Sequence, residues 1–265
     1  TRVIILFCLI CIVSVLLISA SVENTVKQGH ELPPDYFELK IPEGWPKPPK
    51  DIFANNRLSE QGFQLGKKLF YDGRLSKDGN FPCASCHQQF AAFASYDHDL
   101  SHGFNEQFTT RNAPPLFNLA WKTDLHWDGG VNHIEVQPLA PITAPNEMAE
   151  TLHNVLLKLK NDTAYPKLFK AAFGTSDINS QRMLKALAQF TGSITSSNSK
   201  YDKVQRGEAT FTYGEQVGYD LFKAKCAACH KEPLFTDNSF RNTGMAVNPY
   251  LNDYGRMLIT GDPDD

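Results

Sequence analysis

Cys83-Ala84-Ser85-Cys86-His87 recurs 143 residues further on as Cys226-Ala227-Ala228-Cys229-His230. Two thiols three positions apart on a helical turn can each form a thioether with a haem vinyl group, and the histidine that follows can ligate the iron. The spacing therefore reads as c-type haem attachment, one covalently bound haem per motif. A zinc ribbon would place its two hooks roughly 15 to 20 residues apart. A thiol redox pair would sit in a βαβ pattern, which the sequence lacks.

Outward from the motifs, GKKLF at 66–70 precedes CASCH and GYDLF at 218–222 precedes CAACH, the first interval being nine residues longer. The echo suggests a duplicated unit and hence two domains of similar kind. Regular patterning is helical. Ser59 caps a segment carrying Phe63, Gly66, Leu69 and Phe70. Asn146 is expected to cap a second, with Met148, Leu152, Val155, Leu156 and Leu159 on one face, closing before Pro166. Ser180 opens a third, with Met183, Leu187, Phe190 and Ile194 at helical spacing. Thr212 and Glu215 form a capping box for a fourth, ending near Cys226. Strand alternation is weak, so the fold class is mainly α.

The 265 residues carry 26 Lys+Arg against 29 Asp+Glu, a formal net charge of −3. That leaves no basic field for nucleic acid. A hydrophobic fraction of 42% argues against disorder. Residues 3–18 (VIILFCLICIVSVLLI) are apolar, follow Arg2 and precede Ser19, Ala20 and Ser21. This is a signal-peptide pattern, shorter than the roughly 20 residues of a membrane span, with cleavage expected near Ala20 and export to the periplasm. Cys8 and Cys11 would leave with it, and no cysteine remains for a disulfide. The expected organisation is a signal peptide at 1–20, a Pro-rich strap at 21–50, a first haem domain at 51–205 and a second at 206–265.

Further motifs are LSHGF at 100–104, TRNAP at 110–114, HWDGG at 126–130, NEM at 146–148, LFTDNSFRNTG at 234–244 and DYGRMLITG at 253–261. With the haem motifs, in this order, they resemble the bacterial di-haem cytochrome c peroxidases and their MauG-type relatives. The resemblance runs from about Arg57 to the last residue. It implies two cytochrome c-like domains with one haem c each. The haem at Cys83, Cys86 and His87 would reduce hydrogen peroxide, and the haem at Cys226, Cys229 and His230 would take electrons from a small c-type cytochrome or cupredoxin. His102, at the family's position for the distal ligand, would hold the first iron at rest. Its neighbour His98 reads as a solvated loop residue, and Gly103 is expected to supply the turn that aims His102.

Glu147 and Gln137 match the peroxide-pocket pair, as proton donor and orienting amide. On residue type alone, Glu147 could equally be a first-turn helix carboxylate. Trp127 matches the tryptophan between the haems, and Asn112 a ligand of a bridging calcium ion. MauG-type relatives lack the histidine matching His102, which tilts the reading toward peroxidase. A MauG-type oxidase acting on a protein and a non-enzymatic di-haem electron carrier are the alternatives. A homodimer is left open. The sequence departs from the family at His126, where many members carry an aromatic, and at Gly130, where many carry Arg. It begins at Thr1 and ends before the stretch that would hold the second haem's sixth ligand, so a C-terminally truncated fragment is expected. Met245 reads as a packing residue more readily than as a substitute ligand.

Overall fold

Helix α1 (Glu60–Phe70) begins where expected: the Ser59 side chain accepts a hydrogen bond from the Gly62 amide, and Leu65, Leu69 and Phe70 are buried along one face. The computed structural model describes residues 34–264. The export segment at 1–20 and the first part of the strap lie outside the described residues. The rest of the strap has no regular structure except a bridge between Tyr36 and Ser59. It is fastened where Trp45 meets Trp121 edge-on and where the Trp121 indole N–H donates to the Pro46 carbonyl at 2.8 Å.

Short helices α2 (Cys83–Cys86) and α3 (Leu139–Thr143) are followed by α4 (Leu152–Lys160), α5 (Tyr165–Phe173) and α6 (Ser180–Ser193). Then come α7 (Lys200–Gln205), α8 (Tyr213–Lys225) and the single turn α9 (Met257–Thr260). Among the described residues there is no β-strand, only four isolated bridges. The mainly α class is thus observed. The core lies where α1 packs across α5 and α6. Phe70, Tyr165, Phe169, Met183 and Leu187 are almost completely shielded there.

One of the expected helix starts moves. Asn146 caps nothing; its Nδ2 donates to the Phe108 carbonyl. Ala149 takes a φ of 53°, which no helix continues through, and Thr151 becomes the cap of α4 by accepting from the Asn154 amide. Glu150 then receives the Thr151 amide, Asn154 and the Lys158 ammonium, which holds the redirected chain. Helix α6 opens at Ser180 as expected, capped by Asn179, whose side chain accepts from the Arg182 amide. Helix α5 was not anticipated, although Pro166 sits in its first turn, where a missing N–H costs nothing, and Gly174 ends it at a φ of 72°.

Gly66 sets how closely α1 and α6 approach. A Cβ there would lie 1.9 Å from the Ala186 carbonyl oxygen, a backbone atom that cannot turn aside. Gly66→Ala is therefore expected to lower stability by about 2 kcal/mol or more, despite the roughly 1 kcal/mol alanine gains in helix propensity. Denaturant midpoints of the two proteins check this; a more stable variant would show that the helices can part freely.

Candidate functional site: two Cys-x-x-Cys-His loops and a cavity

In the first motif the turn closes by a hydrogen bond from the His87 amide to the Cys83 carbonyl, 2.9 Å. Cys83, Cys86 and His87 then line one cavity together with Phe70, Leu116, Met148 and Leu187. Burial pushes the Cys83 thiol up to about 12, as in an apolar wall. His87 Nδ1 lies 2.8 Å from the Phe93 carbonyl. A carbonyl only accepts, so Nδ1 carries the proton and Nε2 keeps its lone pair, the form in which imidazole binds a metal. Burial lowers the His87 pKa, against the pull of the Phe93 and Pro114 carbonyls, and so favours this neutral ring.

The second motif repeats the geometry. The His230 amide donates to the Cys226 carbonyl at 2.9 Å, and His230 Nδ1 lies 3.1 Å from the Phe235 carbonyl. Phe93 and Phe235, whose carbonyls hold the two histidines, have φ values of 57° and 56°, a strained choice for a side chain with a Cβ. Phe93 meets Phe70 edge-on at 6.0 Å; Phe235 meets Phe222 edge-on at 5.3 Å. The sequence echo of 66–70 with 218–222 is thus an aromatic contact made twice.

The surroundings differ. Cys226, Cys229 and His230 are exposed, and no residue of α8 is buried. Met245 is 84% exposed, which corrects its reading as a packing residue: nothing among the described residues lies over its segment. Both donor sets fit a c-type haem. The first lines a cavity, whereas the second is exposed among the described residues.

Three more segments bring polar groups to the first cavity: His102, Gln137 and Glu147 all line it. His102 sits on a loop stitched by hydrogen bonds from the Gly103 amide to the Gln107 carbonyl and from the Phe104 amide to the Glu147 carbonyl. Its ring lies 4.6 Å from Phe108 and 5.1 Å from His98. His98 does not line the cavity and turns Nδ1 to the Tyr96 carbonyl. Gly103 does not provide a left-handed turn; its φ of −125° is open to any residue. It is needed because a Cβ would meet the Asn146 carbonyl oxygen at 2.1 Å.

Glu147 is half-buried in a turn and outside any helix, which removes its reading as a first-turn carboxylate. Burial raises its pKa. Trp127 is 55% exposed, so it is no core residue, and its indole N–H donates to the Asn112 carbonyl. Asn112 donates its Nδ2 to the carbonyls of His98 and Asp99. No group of three or more His, Cys, Asp or Glu side chains among the described residues is arranged to hold a metal ion.

Two features escaped the sequence reading. Arg111 pairs with Asp128 at 2.5 Å and grips Asp253 with two nitrogens at 2.6 and 2.7 Å, tying the Trp127 loop to the segment before α9. Gln137 Nε2 lies 3.3 Å from His126 Nε2. Arg111 lies within TRNAP, but only the fold brings Asp253 to it.

The family model described as di-haem cytochrome c peroxidase matches residues 60–210. Among curated proteins, the methylamine utilization protein MauG of Methylorubrum extorquens is 36% identical over 222 residues, 82% of this chain and 60% of that protein. The cytochrome c551 peroxidase of Nitrosomonas europaea is 33% identical over 218 residues, 76% of this chain and 61% of that protein. The chain thus spans about 60% of the length of these relatives. Among solved structures, a MauG-like protein associated with microbial copper homeostasis superposes with a TM-score of 0.74 at 31% identity, covering 86% of this chain and 72% of that one. The diheme peroxidase BthA of Burkholderia thailandensis, at 22% identity and a TM-score of 0.69 over 78% of this chain and 62% of its own, shares the fold.

Proposed function

The chain belongs to the di-haem cytochrome c peroxidase family, and from that premise we propose that it reduces hydrogen peroxide to water, two electrons and two protons yielding two water molecules. The observation that carries this reading is the single cavity that gathers Cys83, Cys86 and His87 with His102, Gln137 and Glu147 from four separate segments. Cys83, Cys86 and His87 would hold one haem c, and Cys226, Cys229 and His230 a second. Haem held at the first site would supply the redox iron chemistry needed for O–O cleavage.

The chain's own groups do the rest. Glu147, kept protonated toward neutral pH by burial, delivers a proton to the leaving oxygen. Gln137 orients the bound peroxide. His102 occupies the entry position at rest and withdraws for substrate. Trp127, tied to Asn112 and next to the Arg111–Asp128 clamp, offers a π system for electrons arriving from the second site. The donor is a small c-type cytochrome or cupredoxin, met in the periplasm; the apolar segment at 3–18 supports export. Asn112 as a calcium ligand has the support of its amide, whose Nδ2 is engaged by carbonyls and whose oxygen suits a hard cation.

Peroxide-dependent oxidation of a reduced small cytochrome by the haem-loaded protein tests the reading; no turnover with both haems attached would overturn it. A MauG-type oxidase is the second reading, favoured by the 36% identity to MauG, with His102 in the cavity weighing against it. His102→Gly is expected to leave the first haem of the oxidised protein open to small ligands, seen as a change in its resting spectrum. An unchanged spectrum, with His98→Gly opening the site instead, would move the assignment to His98.

A further inference from the structure

Gln137 and His126 meet nitrogen to nitrogen. Such a contact is attractive only when one atom carries hydrogen and the other a lone pair. An amide nitrogen offers no lone pair, so Gln137 donates and His126 accepts at Nε2, as a neutral ring with its proton on Nδ1. The end of Gln137 left for the cavity is then its oxygen. Protonating His126 puts hydrogen on Nε2 and reverses the demand: the ring now needs the amide oxygen, and a half-turn of the amide presents NH2 to the cavity. That half-turn changes neither shape nor volume, so packing does not resist it.

His126 is held for this contact by an unusual backbone, a φ of 67° in the loop closed by the Leu125 amide on the Val131 carbonyl. The charges around it are Asp128 on its own loop and Arg111 from the preceding segment. Behind them stand Asp253, paired with Arg111, and Arg256, which donates to the Asp128 carbonyl. Burial lowers the His126 pKa, Asp128 opposes this and Arg111 adds to it, so the ring is neutral near pH 7.

The geometry points to His126 as a positioning residue that sets which end of the Gln137 amide faces the first cavity, an acceptor at neutral pH and a donor in acid. The inference rests on the reading of Gln137 as the group that orients peroxide. An acceptor there takes an O–H of neutral hydrogen peroxide and repels small anions, so the pair is a specificity device: it selects peroxide against anions at neutral pH and relaxes when His126 is charged.

Fluoride, which only accepts hydrogen bonds, is the probe. Its dissociation constant at the first haem is measured from pH 8 to pH 5 in haem-loaded full-length protein carrying His102→Gly, with and without His126→Phe. Taking the ratio of the two proteins cancels the titrations of fluoride and of Glu147. The ratio is expected to change about fivefold, the scale of one hydrogen bond, in favour of the protein with His126 in acid, along a one-proton curve. A ratio constant within about twofold would overturn the inference. Gln137→Met serves if His126→Phe does not load haem, since the step needs both partners and should vanish with either. The readout needs no turnover: a protein with the fluoride step but no peroxidase activity would overturn the functional reading and uphold the pairing.

Discussion

Glu147→Gln is expected to lower peroxide turnover by about 10² or more while haem content and fold are kept, the scale of a missing proton donor. Glutamine fills the same space and accepts the same contacts but cannot release a proton. The carboxyl is half-buried at the first cavity, and burial raises its pKa, so its acid form persists further toward neutral than that of an exposed glutamate. Turnover of the unmodified protein should fall as pH rises through that raised value, because the acid form does the work; the variant should lack this limb. Steady-state rates across pH decide it. Turnover within threefold of the unmodified protein would leave Glu147 only its part in the turn, where its carbonyl accepts the Phe104 amide.

Gly103→Ala should lose turnover on a similar scale, about 10², for a different reason. The backbone at Gly103 suits alanine, so no conformational strain is introduced. The new Cβ would lie 2.1 Å from the Asn146 carbonyl oxygen and 2.8 Å from the Glu147 Cα. To relieve this, the His102 loop and the Glu147 turn must part by about 1 Å, which is enough to misplace both catalytic and resting-state groups. Haem content, the resting spectrum and turnover would be measured together. Normal turnover with an unaltered spectrum would mean that this contact does not position the site.

What the sequence made legible followed from local chemistry. The Ser59 cap and the Thr212–Glu215 box need only residues three apart, and both formed as read. The haem motifs are equally local, and the paired GKKLF and GYDLF strings proved to be the Phe70–Phe93 and Phe222–Phe235 contacts. The misreadings came where distant segments compete for a residue. Asn146 has the side chain of a helix cap, but Phe108, 38 positions earlier, takes it. Gly103 suggested a turn because glycine often serves one, whereas its reason lies on another loop. In the sequence His126 shows only as a departure from an aromatic, since its contact with Gln137 depends on a left-handed backbone that nothing in HWDGG announces. Exposure of the second motif could not be read from its five residues, which match those of the first almost letter for letter.

The central claim is that both Cys-x-x-Cys-His loops hold a covalent haem, each with its histidine fixed through Nδ1 by the carbonyl of a phenylalanine. Intact mass of the protein, matured in a host that attaches haem c, tests it most directly. The expected mass is the polypeptide plus two haems, unchanged after extraction with acid acetone. An increment of one haem, or haem released into the solvent, would contradict it.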